Sequence, residues 1–180
     1  MELKKLVSYR IPFSGRTVTW CCALLGLSVF LRYLYYFVPC DPDAIHTGVW
    51  ILRIILPTLL CGAFGVLLRL VRLRSPGVYG ILAAAMCLML MAWDIMDGNV
   101  VEIILSVLTL PFLGFLSLAT FGGYIPFRSI SCFLIAVVLV LRLFFGGSSS
   151  LVIVWMDRIS ELSILASLFC FSISLKPMDK

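Results

Sequence analysis

The chain has 180 residues, of which 62% are hydrophobic and 13% charged, with a formal net charge of +5. A soluble globular domain holds roughly 45–50% apolar and about 25% charged residues, so this composition, with a mean hydropathy of +1.14, excludes an ordinary water-soluble domain. The positive excess is too small and too dispersed to make nucleic acid a partner.

The first apolar run covers 18–38 and follows a basic segment holding Lys4, Lys5, Arg10 and Arg16. The pair has the outline of a secretory signal. However, no A-x-A-like cleavage site follows, and the run continues through "RYLYYFV", so it reads as a retained span. "CDPDAIHTG" separates it from a second run, 49–70, which contains Pro57. "LRSPG" precedes the third, 78–93, and "DIMDGN" the fourth, 100–120, which contains Pro111. "GGYIPFR" leads into the fifth, 130–145, and "GGSSS" into the sixth, 151–175. A transmembrane helix needs about 20 apolar residues, and continuous runs without a polar face argue against buried helices of a soluble protein. The third and fifth runs are short for a span. The expected fold is an all-α integral membrane protein, one domain over 1–180, built as a bundle of six transmembrane helices. Pro57 and Pro111 predict kinks that free backbone carbonyls for a neighbour or a cavity.

Lys and Arg set the orientation. Lys4, Lys5, Arg10, Arg16, Arg69, Arg72, Arg74, Arg128, Lys176 and Lys180 fall on one side of the six-span arrangement. The loops of the other side hold Asp41, Asp43, Asp94 and Asp97 and no basic residue. The positive-inside rule then places both termini in the cytoplasm, with the plasma (inner) membrane as the expected location. Trp50, Trp93 and Trp155 near the outer boundary and Trp20 near the inner one fit two aromatic belts.

The sixth run opens with "WMDRISE". After Glu161 only Leu162 to Leu175 remain, about 21 Å of helix at roughly 1.5 Å per residue, short of a hydrocarbon core of about 30 Å. The span therefore reaches back to Trp155, which carries Asp157, Arg158 and Glu161 into the membrane. Asp157 and Glu161 are four apart and share a helix face. Ser160, Ser163 and Ser167 form a small polar stripe suited to close helix packing. Arg32 in "LRYLYYF", Arg53, Glu102 and Arg142 in "LRLFF" fall at comparable depth in other spans. The layer thus counts four cations and three anions, with Asp94 and Asp97 at its border. Either these side chains pair and snorkel, fixing helix register, or they line an outward-facing polar pocket. Arg32, Arg53, Glu102, Arg142, Asp157, Arg158 and Glu161 are the candidate substrate-binding residues.

No catalytic motif is visible: there is no G-x-S-x-G, no H-E-x-x-H and no P-loop. Seven cysteines without a C-x-x-C pattern and a single histidine, His46, give no metal or cofactor site. In span number, size and the depth of its polar layer, the chain resembles the substrate-binding S-components of energy-coupling-factor vitamin transporters. The resemblance implies a solute pocket toward the outside. The A-x-x-x-A motif of that family is missing from "TWCCALLGLSVFLRYLYYF", which removes the feature implied for docking an energising partner. The expected function is non-enzymatic: a solute or ion transporter, or the membrane-embedded binding subunit of one. The alternative is a membrane sensor or a regulatory or structural subunit of a larger complex. The expected partners are the lipid bilayer, a small solute or ion, and a membrane protein or a second copy of the chain.

Overall fold

The structure is a computed structural model, and it describes residues 9–10, 15–37, 51–71, 76–122, 125–145 and 152–177. The expected loops "CDPDAIHTG" and "GGSSS", with His46 and Trp50, lie outside the described residues.

The described chain is helical throughout, apart from one two-residue antiparallel ladder between β1 (Tyr9–Arg10) and β2 (Lys176–Pro177). Helix α1 runs Arg16–Phe37. A second rod spans 51–71: helix α2 (Leu56–Val66) lies between two π-helical turns, Ile51–Ile55 and Leu67–Val71. Helix α3 runs Pro76–Asp97, α4 Val100–Val107, α5 Thr109–Gly122, α6 Ile125–Phe145 and α7 Val152–Ser174. Helices α4 and α5 follow one another as a single broken rod, so six rods are present among the described residues.

Four of them contain stretches long and apolar enough to cross a membrane: Arg16–Leu34, Gly77–Met96, Val100–Thr120 and Phe127–Phe145. Helix α7 carries the three charges of "WMDRISE", and the 51–71 rod is divided by its π-helical turns.

Two boundaries differ from the sequence reading. The third run was expected to end at 93, with "DIMDGN" as a loop. Instead α3 continues to Asp97, and Asp94 is a helical, fully buried residue. The stop is set by Gly98, whose φ of 72° is the left-handed conformation that glycine adopts without a Cβ penalty. Asn99 then caps α4, its side chain accepting from the Val101 N–H at 3.1 Å, the usual role of Asn at that position. A two-residue turn thus folds α4 back beside α3. The fifth run, expected from 130, begins at Ile125.

Both prolines disturb their rods. A proline lacks the N–H that would bond the carbonyl four residues earlier and clashes with it. Pro111 addresses Val107, and the fourth run, expected as one helix, breaks at Leu108. Pro57 addresses Arg53, inside the π-helical turn.

The interior joins an apolar core to a set of buried polar and charged side chains, and the exterior carries many exposed large apolar side chains. Ser28, Arg32, Asp94, Ser106, Thr109, Thr120, Ser131, Arg142 and Glu161 are buried, while Leu59, Ile81, Ile104, Phe133 and Phe144 are exposed. Water would favour the reverse; a lipid surround favours this one, because charged and hydroxylated side chains in a membrane turn inward to find partners. Helices α1 and α7 pack along most of their length. They are joined by Ser28 and Ser160, whose hydroxyls lie 2.8 Å apart while Ser160 Oγ also donates to the Ser28 carbonyl. At the opposite end, Phe64, Tyr79 and Phe171 form an aromatic knot with centroids 5.1–5.6 Å apart. The Tyr79 hydroxyl donates to the Leu67 carbonyl at the second π-helical turn.

Four basic residues lie at that end. Arg69 donates to Thr19 Oγ1 at 3.1 Å, Arg128 donates to the Leu175 carbonyl, and Arg10 and Lys176 are in register in the ladder.

Candidate functional site

At the other end of the bundle, every rod contributes to one charged layer. Arg32 comes from the last third of α1, Arg53 from the first π-helical turn and Asp94 from the end of α3. Glu102 and Ser106 come from α4, Arg142 from the last turn of α6, and Asp157, Arg158 and Glu161 from the first half of α7. All seven sequence candidates lie in this layer. Arg32 and Glu161 both turn inward, and each has a partner of opposite charge.

The layer divides into three groups. In the first, Arg142 bridges two carboxylates: it pairs with Asp94 and, through Nη1, with Glu161 Oε2 at 3.1 Å. Ser106 Oγ donates to the same Asp94 carboxylate and accepts from Arg142 Nη2. These side chains are almost wholly withdrawn from solvent, where a charge-assisted bond is strong and an unpaired charge costly. In the second group, Arg158 Nη2 meets Glu102 Oε1 at 3.2 Å. Glu102 sits in the first turn of α4, where the helix dipole favours an anion.

The third group is looser. Asp157 is shared by Arg32 at 3.7 Å and Arg53 at 3.5 Å, both beyond ordinary hydrogen-bond length. The Arg32 guanidinium, on a side chain only 4% exposed, donates from Nη1 to the Arg53 carbonyl at 3.4 Å. Its Nε and Nη2 are buried without a hydrogen-bond partner. The Arg53 guanidinium lies over the Trp93 ring, 3.2 Å from the centroid, a cation–π contact.

Formal charge is distributed unevenly. The first group holds one cation and two anions, the second one of each, the third two cations and one anion. Among the described residues, four cations of the layer face four anions.

The layer has three members beyond the seven candidates: Asp94, Ser106 and Trp93. The sequence puts Asp94 in an outer loop at the border of the layer and Trp93 in an aromatic belt, whereas in the structure both are within it. Two signals pointed to Asp94. A count of four cations against three anions left one cation unmatched. In addition, a 16-residue third span gives about 24 Å of helix, too short for a hydrocarbon core of about 30 Å. For Ser106 no sequence signal existed, since its role depends on α4 folding back on α3.

The serine stripe of α7 is structural. Ser163 and Ser167 return hydrogen bonds to carbonyls of their own helix, at Ile159 and Ile164, and Ser160 binds α1. Among the described residues, no group of three or more His, Cys, Asp or Glu is arranged to hold a metal ion.

No family model, curated protein or solved structure matches the chain. The likeness to S-components in span number and size is therefore not accompanied by a match in sequence or in structure. The functional reading rests on the layer itself.

Proposed function

We propose that this chain is a six-span protein of the plasma membrane with both termini in the cytoplasm, and that its charged layer, in the outer half of the bundle, binds a small solute or ion for transport. The observation that carries this reading is the Arg32–Arg53–Asp157 group. Two guanidinium groups share one carboxylate at ion-pair distance, longer than an ordinary hydrogen bond, and Arg32 keeps two buried nitrogen atoms without acceptors among the described residues. Buried donors without acceptors are rare and costly in a purely structural network. A bound anion removes that cost. The two irregular segments, the π-helical turn around Arg53 and the break at Leu108 beside Ser106, both fall at the layer. Membrane binding sites are commonly built at such interruptions.

A second reading has its own support. The equality of four cations and four anions, and the close Arg142–Asp94–Ser106–Glu161 group, suit a structural or regulatory subunit whose layer fixes helix register. The two readings separate in one experiment on protein reconstituted in liposomes. Flux of small anions and the melting temperature are measured side by side for the wild type, Arg32→Gln and Glu161→Gln. Loss of flux with modest loss of stability supports transport. Absence of anion flux in the wild type, with a large fall in melting temperature in both variants, supports the structural subunit.

A further inference from the structure

A guanidinium carries its N–H donors in one plane. The N–H of Nε and one N–H of Nη2 point the same way, on the edge turned away from Cδ. That edge takes both oxygens of a carboxylate at once. In Arg32 the protein uses the remaining nitrogen: Nη1 donates to the Arg53 carbonyl at 3.4 Å and lies 3.7 Å from Asp157 Oδ1. Nε and Nη2 are buried, and among the described residues neither has a hydrogen-bond partner. The residue is only 3% exposed, so bulk water does not serve them either. The acids of α7 leave this edge open. Asp157 approaches Nη1, and its Oδ1 accepts no hydrogen bond among the described residues. Glu161, one turn further on, is held by Arg142 Nη1 at 3.1 Å. Ser28 lies one turn before Arg32 on the same face of α1, and its hydroxyl is committed too. Ser160 Oγ donates to the Ser28 carbonyl, which leaves the 2.8 Å contact between the two hydroxyls to the hydrogen of Ser28.

We propose that the ligand of the charged layer is a small monocarboxylate, gripped side-on by Nε and Nη2 of Arg32. The proposal rests on the anion-binding reading above and names the class of anion and the atoms that hold it. A carboxylate presents two oxygens in the plane of the fork, one to each open donor. A halide presents a single centre, which an ammonium serves as well as a fork does. Phosphate presents four oxygens. The Arg32 edge serves two of them, and Ser28 and Ser160 have no hydrogen left for the others. Polar atoms taken out of water without a hydrogen bond are costly, so the donor count at Arg32 favours the anion whose oxygens it matches. Because both donor atoms are buried, the acid must also be small. Asp157 keeps its carboxylate on Nη1, so the incoming acid and the protein's own acid occupy different edges of one guanidinium.

The test uses the full-length protein in nanodiscs of zwitterionic lipid, with empty nanodiscs as the blank. Radiolabelled acetate, chloride and phosphate are the probes, at neutral pH and one ionic strength. The expected result is acetate held at least about tenfold tighter than either inorganic anion, since each of those leaves donors or oxygens unmatched. Arg32→Lys keeps the positive charge and removes the fork, so acetate affinity should fall to that of chloride while chloride binding is unchanged. A wild type that holds chloride or phosphate within about tenfold of acetate overturns the side-on carboxylate and leaves the anion site standing. An Arg32→Lys variant that holds acetate like the wild type does the same. The wild-type ratio decides the proposal even where Arg32→Lys does not fold. Retention of none of the probes by the wild type overturns both the carboxylate and the anion-binding reading.

Discussion

Arg32 donates from Nη1 to the carbonyl of Arg53, the oxygen that Pro57 leaves without its α-helical donor. The prolyl nitrogen four residues on carries no hydrogen, so the rod adopts a π-helical turn there and a side chain from α1 reaches the freed oxygen. The same turn sets the Arg53 side chain over Trp93. A backbone defect in one rod thus fixes two guanidinium groups from different helices beside one carboxylate.

Pro57→Ala supplies the missing N–H and lets the rod relax toward a regular α-helix, rotating Arg53 away from Trp93. The gained hydrogen bond, about 1 kcal/mol, offsets the lost cation–π contact, on the order of 1 kcal/mol. Melting temperature in detergent should therefore move little. Affinity for a small anion should fall about tenfold, equivalent to about 1.4 kcal/mol, with a changed tryptophan emission spectrum. Wild-type emission and affinity together would show that Pro57 does not place Arg53.

Arg142→Gln should be the most damaging single change in the layer. It leaves both Asp94 and Glu161 without their cation, and breaking a buried pair costs about 3–5 kcal/mol. Asp94→Asn should cost less, because Arg142 keeps Glu161. The Asp94→Asn/Arg142→Gln double variant should recover much of the loss relative to Arg142→Gln alone. Chemical denaturation of the four proteins in one detergent measures the coupling; additive losses would mean that the pair does not interact as its geometry indicates.

Asp157→Asn separates binding from stability in the opposite direction. Removing the shared carboxylate leaves Arg32 and Arg53 without their common anion, so the unliganded protein should melt at a lower temperature. The vacated charge should raise affinity for an added carboxylate about tenfold, about 1.4 kcal/mol, and the added anion should restore the melting point. A variant that loses stability and gains no anion affinity would show that Asp157 is structural.

Orientation is testable by labelling in a cysteine-free background. Cysteine at Asn99 or Ser149 should react with a membrane-impermeant maleimide in intact cells, and cysteine at Ser75 only after permeabilisation. The positive-inside distribution requires this pattern. The reverse pattern at any of the three sites breaks the six-span topology with cytoplasmic termini.

Hydrophobic run length and punctuation determined the helical class and the approximate place of every rod, because a bilayer imposes one length on every span and tolerates almost nothing but helix across it. The depth argument from "WMDRISE" likewise placed Asp157, Arg158 and Glu161 in one layer with Arg32, Arg53, Glu102 and Arg142, since axial position is a matter of counting residues at a fixed rise. Pairing is not a matter of counting. Which cation meets which anion depends on the azimuth of each rod and on which rods are neighbours. Both follow from packing between segments far apart in sequence, as with Arg142 and Asp94, 48 residues apart. Asp94 showed the limit most clearly: beside Asp97, Gly98 and Asn99 it looked like part of a polar loop. Only the left-handed turn at Gly98 and the return of α4 against α3 made it a buried counter-ion.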